Sequence, residues 1–240
     1  MKNKKLIFGI IGAGILAAII AGCVIYLGNY YKADNVKIDE FIVEEVVITV
    51  MGDNNIVYEP VDTKTGLIFY PGGKVEYTAY EPLMKSLASK GILCVLVEMP
   101  FHLAVFDVNA ADGIQNHFPQ IESWYIGGHS LGGAMAASYI GGNVTDYEGL
   151  ILLGAYSTAD LTEASLEVLS VYGSEDTVLD KGKYDENMMN LPDNFEEIVL
   201  EGGCHAYFGM YGEQKGDGVP QITNEEQINM TADAIANFIE

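Results

Sequence analysis

The chain predicts an α/β protein: a doubly wound, mostly parallel sheet opened by an antiparallel hairpin and preceded by a single membrane-spanning helix. Three observations carry this. From residue 66 onward, short apolar runs alternate with segments of helical periodicity, the pattern of strands buried on both faces and joined by crossover helices. Residues 45–50 and 56–58 are strand-like and flank the turn residues 52–55, which reads as a hairpin. Gly128-His129-Ser130-Leu131-Gly132 stands between an apolar run and a segment of small residues. There a G-x-S-x-G sequence makes a cramped strand-to-helix turn that lifts the serine hydroxyl above the sheet edge.

The N-terminus comes first. Lys2, Lys4 and Lys5 precede an uncharged, mostly apolar stretch over residues 6–31, long enough to cross a hydrocarbon core as a helix. Lysines on that side predict a cytoplasmic N-terminus and the bulk of the chain outside. The expected division is a signal anchor over 1–31, a polar juxtamembrane linker over 32–40 and one folded domain over 41–240. A cleaved signal peptide would show a shorter apolar core and an Ala-x-Ala-like site. Ile20-Ala21-Gly22-Cys23 resembles a bacterial lipobox and makes a lipoprotein acylated at Cys23 the alternative. The apolar continuation Val24-Ile25-Tyr26-Leu27 and the interfacial tyrosines Tyr26, Tyr30 and Tyr31 favour the anchor.

The domain's elements follow in order. After the hairpin, strand 67–70 ends at Pro71-Gly72-Gly73, and a helical pattern spans 80–89 with Leu83, Leu87 and Ala88 on one face. Gly91 breaks it before strand 92–97. A looser segment, 107–117, leads to strand 124–127 and the serine turn. Strands 149–153, 167–171 and 195–200 come next, and helix 225–239 closes the chain with Ile228, Ala232, Ile235 and Phe238 at core spacing.

Of 240 residues, 49% are apolar, which suits a single domain with a substantial core. The formal charge is −22 and the chain contains no arginine. Beyond the N-terminal three, nine lysines face 34 acidic residues, so a phosphate backbone is repelled and nucleic acid is excluded as a partner. Cys23, Cys94 and Cys204 form no disulfide framework. Cys204 beside His205 reads as a small apolar filler, because the serine already occupies the turn. No His/Asp pair stands at metal-ligand spacing.

A serine hydroxyl needs a base and an orienting acid to act as a nucleophile at neutral pH. In this architecture the order is Ser, acid, His, each just past a strand end. His205, in the loop after the last strand, is the natural general base. Glu175 and Asp176 both follow strand 167–172, and composition does not choose between them. Two backbone amides should stabilise the developing oxyanion. Leu131, after the serine, supplies one. Gly73 is the choice for the other, with Lys74 the near alternative, since Pro71 has no N–H. Lys74, Phe101, His102 and Tyr207 are candidates for the substrate pocket. His129 would support the turn, and His117 ends a helix.

Together Tyr70-Pro71-Gly72-Gly73, Gly-His-Ser-Leu-Gly-Gly, Gly-Ser-Glu-Asp and Gly-Cys-His resemble the α/β-hydrolases, most of all a compact bacterial group near the dienelactone hydrolase and carboxylesterase branch. The resemblance covers roughly residues 65–240. It implies a triad of Ser130, Asp176 and His205, with Asp176 rather than Glu175 as the acid. It also implies hydrolysis of an acyl ester through an acyl-enzyme, with no metal or organic cofactor. The short interval between strands 149–153 and 167–171 leaves no room for a large lid, which favours small or medium esters. An acyltransferase or peptidase with the same triad is the alternative enzyme, and a catalytically inactive binding protein on the same fold is the alternative outside enzymes.

Overall fold

The computed structural model describes residues 2–52 and 54–239. The side chains of residues 2–11 and 13 lie outside the described set. The Lys2, Lys4 and Lys5 cluster and the first part of the apolar run therefore do too. The elements in chain order are α1 (Lys2–Gly28), α2 (Asn35–Glu40), β1 (Val46–Met51), β2 (Asn55–Pro60), β3 (Thr65–Tyr70), α3 (Glu81–Ser89), β4 (Ile92–Leu96), β5 (Ser123–His129), α4 (Leu131–Ile140), β6 (Gly149–Leu153), β7 (Glu167–Gly173), α5 (Lys181–Asn187), β8 (Glu196–Leu200) and α6 (Asn224–Ile239). Short 3-10 turns fill the connections, including most of residues 100–117.

The eight strands form one sheet in the order β1-β2-β4-β3-β5-β6-β7-β8. β1 and β2 pair antiparallel, as does β2 with β4, and every pairing from β4 to β8 is parallel. The hairpin thus opens an otherwise parallel sheet, as the sequence pattern requires.

Side-chain alternation along the central strands divides the core into two layers. Leu67 and Phe69 on β3 join Ile151 and Leu153 on β6 beneath α3 and α6, with Leu83, Leu87, Ile228, Ala232 and Ile235. Ile68 and Tyr70 join Leu150 and Leu152 on the opposite face beneath α4, with Ala136, Ala137 and Ile140. Such strands are apolar on both sides because both sides are covered. α6 starts on a capping box, where Thr223 Oγ1 accepts from the Glu226 amide (3.2 Å) and the Glu226 carboxylate accepts from the Thr223 amide (2.7 Å).

Two differences from the sequence reading concern the first forty residues. Among the described residues no helix is long and apolar enough to cross a membrane, so the membrane-spanning helix is left as a proposal. The segment read as a linker is not free chain either. Tyr31, the residue just before it, pairs with Val75 in a parallel bridge, α2 forms over Asn35–Glu40, and Ile38 is buried in the core. Its polar composition conceals these anchors, because only one side of a short segment needs to be apolar. α5 has no counterpart in the sequence pattern: Tyr184 is its one buried residue, which leaves no periodicity to read.

Candidate active site

β5 runs into α4 through Ser130, whose backbone adopts φ 52° and ψ −122°. A non-glycine residue held there costs about 1–3 kcal/mol and persists only where its surroundings enforce it. The Ser130 amide donates to the Leu153 carbonyl (2.9 Å), and the Ser130 carbonyl accepts from Ala134 (3.1 Å). Glycines permit the crowding. A Cβ on Gly128 would lie 2.5 Å from the Tyr70 carbonyl oxygen, and one on Gly132 would collide with the carbonyls of Tyr70 and Pro71. Serine is therefore set on a ridge that its neighbours build by having no side chains.

His205 lies past β8 with its side chain almost fully buried. Its Nδ1–H donates to Asp176 Oδ2 at 2.8 Å. The other oxygen of Asp176 accepts from the amides of Val178 (2.9 Å) and Leu179 (2.8 Å). Both oxygens of the carboxylate are thus engaged, and its side chain is buried. With Nδ1 so engaged, the free lone pair of a neutral His205 sits on Nε2, which has no partner among the described residues. Glu175 points elsewhere, accepting from Gln221 Nε2 (2.8 Å) and from Ser174 Oγ (3.3 Å).

Ser130 and His205 line one cavity of about 350 Å³ with Leu131, Met135, Ala155, Tyr156, Val178 and Leu179 among its walls. Of the pocket candidates read from the sequence, none lines it. The Lys74 ammonium lies 4.1 Å over the Tyr26 ring. Phe101 is 60% exposed and packs edge-on to Phe106. His102 stacks on Tyr30 with ring centroids 3.9 Å apart, and burial lowers its pKa. Tyr207 lines a separate cavity behind the His205 loop. All four follow strand ends, which places them at the correct edge of the sheet but not on the wall of this cavity. The walls that the sequence reading missed come from α4, at Met135, and from the loops after β6 and β7, whose only signal was the same adjacency to strand ends.

The loop after β3 offers one free amide. Gly72 donates to Tyr80 Oη (3.0 Å) and Lys74 donates to the His102 carbonyl (2.7 Å), whereas the Gly73 amide has no partner among the described residues. The Lys74 alternative is therefore spent elsewhere. A Cβ on Gly73 would lie 2.8 Å from Leu131 Cδ2, so Gly73 and Leu131 are neighbours, as two donors to one oxyanion must be.

Buried groups support this arrangement. Tyr80 O–H donates to His129 Nδ1 (2.7 Å) while accepting from Gly72, which links the residue before Ser130 to the loop after β3. His129 is neutral, its pKa held well below the ordinary value by burial and then by His205. Gln227 of α6, fully buried, accepts from the Cys204 amide (2.9 Å) and donates to the Cys204 carbonyl (2.7 Å), fixing the His205 loop. Burial raises the Cys204 thiol to about 12, which leaves it un-ionised at neutral pH. No group of three His, Cys, Asp or Glu side chains that could hold a metal ion occurs among the described residues.

A family model described as Alpha/beta hydrolase family matches residues 66–229. No curated protein matches the sequence. Among solved structures, dienelactone hydrolase from Anabaena variabilis superposes with a TM-score of 0.62 at 12% identity, over 82% of this chain and 98% of that one. Est1E from Butyrivibrio proteoclasticus gives 0.58 at 12% identity, over 82% and 98%. A predicted CIB-like hydrolase from Thermoplasma acidophilum gives 0.55 at 14% identity, over 80% and 99%. At such identities the likeness is one of fold.

Proposed function

The chain belongs to the alpha/beta hydrolase family, and we propose that it is a serine hydrolase, a carboxylesterase for small or medium acyl esters. The observation that carries this reading is the Asp176–His205 pair at 2.8 Å beside the cavity that His205 shares with the strained Ser130.

Ser130 Oγ attacks the ester carbonyl carbon as His205 Nε2 takes its proton, and the charge that builds on the carbonyl oxygen meets the amides of Leu131 and Gly73. Asp176 holds the imidazole in the tautomer that leaves Nε2 basic and stabilises the imidazolium that forms. The proton then passes to the leaving alkoxide, which departs as the alcohol. Water, deprotonated by His205, releases the acid from the acyl-enzyme. The cavity walls from Leu131, Met135, Ala155, Val178 and Leu179 suit an apolar acyl chain. Among the described residues no lysine lines it, so an anionic acyl group finds no lysine counter-charge among them.

The reading includes an anchor: the N-terminal segment stays attached to a bacterial cell membrane and the domain lies on the extracytoplasmic side. The lysines at positions 2, 4 and 5 and the long apolar run support it.

Ser130→Ala should abolish labelling by a fluorophosphonate and lower kcat by at least about a thousandfold, as when a concerted triad loses a member. A panel of p-nitrophenyl esters should peak at short or medium chains. Labelling of Ser130→Ala at the wild-type rate would rule the serine out. Protease added to intact spheroplasts should digest the domain, and full protection would sink the topology. The intact mass of the membrane form separates the anchor from a lipoprotein beginning at Cys23.

A further inference from the structure

Between α1 and α2 runs a stretch that makes more main-chain contact with the site's loops than its composition suggests. The Tyr31 amide donates to the Lys74 carbonyl (2.8 Å), and the Tyr31 carbonyl accepts from the Glu76 amide (2.9 Å). The Ala33 amide donates to the Glu76 carboxylate (3.0 Å). The same stretch then turns to the loop that follows His205. The Asp34 amide donates to the Met210 carbonyl (2.8 Å), the Tyr31 hydroxyl accepts from the Lys215 amide (3.2 Å), and the Tyr31 ring packs on Tyr211. Tyr30 stacks on His102, whose carbonyl holds the Lys74 amide from the other side. This segment lies upstream of the residues matched to the family.

Lys74 is thus gripped at both ends: its amide by His102, its carbonyl by Tyr31. It occupies the left-handed region, at φ 60°, which is uncommon for a residue with a side chain and is helped by such restraint. Gly73 immediately precedes it, so the direction of the Gly73 amide is set by how that peptide chain is pinned. An oxyanion donor is useful only when fixed in advance, because a mobile one must be ordered during the reaction.

We propose that residues 30–34 are a positioning strap, pinning the Gly73 amide beside that of Leu131 and tying the oxyanion loop to the His205 loop. The proposal rests on the serine-hydrolase reading, in which Gly73 faces the oxyanion. The strap touches no substrate and acts through Lys74 and Glu76. Its consequence is that the domain is fully active only while its N-terminal segment is docked.

The test uses the full chain. Tyr31→Pro removes the amide that grips Lys74, and Glu76→Ala removes the acceptor for Ala33, whereas Glu76→Gln keeps one. For Tyr31→Pro and Glu76→Ala, kcat should fall about tenfold to a hundredfold, the scale of a misplaced oxyanion donor. Affinity for an arylboronic acid, which forms a tetrahedral adduct on the serine, should fall in parallel. KM should stay within about twofold; simple loss of folded protein would also lower kcat at constant KM, but it would not weaken the boronate's affinity for the sites that remain. Glu76→Gln should recover most of the loss, and Val36→Ser, on the exposed side of α2, should match the wild type. If Tyr31→Pro melts early, the Glu76 pair decides. Wild-type kcat and boronate affinity in a folded Glu76→Ala, with Ser130→Ala inactive, overturn the strap alone. Wild-type hydrolysis by Ser130→Ala overturns the serine reading and the strap with it.

Discussion

The turn at Ser130 and the loop at Gly73 touch, yet different kinds of contact build them. At the turn the restraint is backbone sterics: Gly128 and Gly132 allow the main chain of the turn to pack on the main chain of Tyr70 and Pro71 at the end of β3. The Gly73 loop is held instead by side chains and by hydrogen bonds to other loops. Its Gly72 and Lys74 amides are held by Tyr80 and His102, and its far end by Tyr31. A Cβ on Gly72 would meet side chains, Tyr80 Oη at 2.5 Å and His129 Nδ1 at 2.7 Å, where one on Gly132 meets backbone. The turn is therefore held by main chain against main chain, and the loop by side chains that can shift.

The acid loop gives the same contrast its largest expected effect. Asp176 and Glu175 are adjacent in sequence, but only Asp176 is locked, by His205 and two amides. Asp176→Asn should lower kcat by at least about a hundredfold, because an amide stabilises neither the imidazolium nor the correct tautomer. Glu175→Gln should remain within about tenfold, with both variants folded by circular dichroism. Damage confined to Glu175→Gln would move the acid by one residue.

Stability measurements come next and address the comparison itself. Gly132→Ala should cost about 3 kcal/mol or more, or prevent folding, since the Tyr70 and Pro71 carbonyls cannot withdraw without dismantling β3. Gly72→Ala should cost less, about 1–3 kcal/mol, because the side chains it meets can shift, and its effect should appear chiefly in kcat. Urea unfolding midpoints read the first quantity and steady-state kinetics the second. Equal destabilisation by the two substitutions would erase the distinction between turn and loop.

That distinction also explains what could be read from the residues alone. The sheet, its antiparallel opening and the positions of Ser130, Asp176 and His205 at strand ends follow from period and order, which are local. The division between the two core layers is written in strict alternation along β3 and β6. By contrast, the cavity walls at Tyr156 and Leu179, the buried Gln227 and the docking of Tyr31 arise from contacts between residues far apart in sequence. Lys74, Phe101, His102 and Tyr207 were expected at the pocket because they follow strands. The side of the serine on which a loop settles depends on what packs against it. For Lys74 and His102 that includes Tyr26 and Tyr30, from a segment whose composition signals only a membrane and a linker.

The smallest expected effect concerns the single buried link between turn and loop. His129 accepts a hydrogen bond from Tyr80 at 2.7 Å and packs against His205 and Phe208, with no acidic group among these contacts. Burial, and then the neighbouring His205, hold its folded pKa well below the ordinary value of 6.5. In the unfolded chain it titrates near that value. As pH falls through it, the unfolded state takes up a proton that the folded state refuses, so folding stability decreases toward acid and recovers as pH rises. The slope from one such group is at most about 1.4 kcal/mol per pH unit. His129→Gln removes the titrating group while keeping polar atoms near Tyr80. It should be less stable at pH 7.5, yet lose less between pH 7 and pH 5 than the wild type. Denaturant midpoints across that range measure the difference. Parallel curves for the two proteins would mean that His129 carries no suppressed proton.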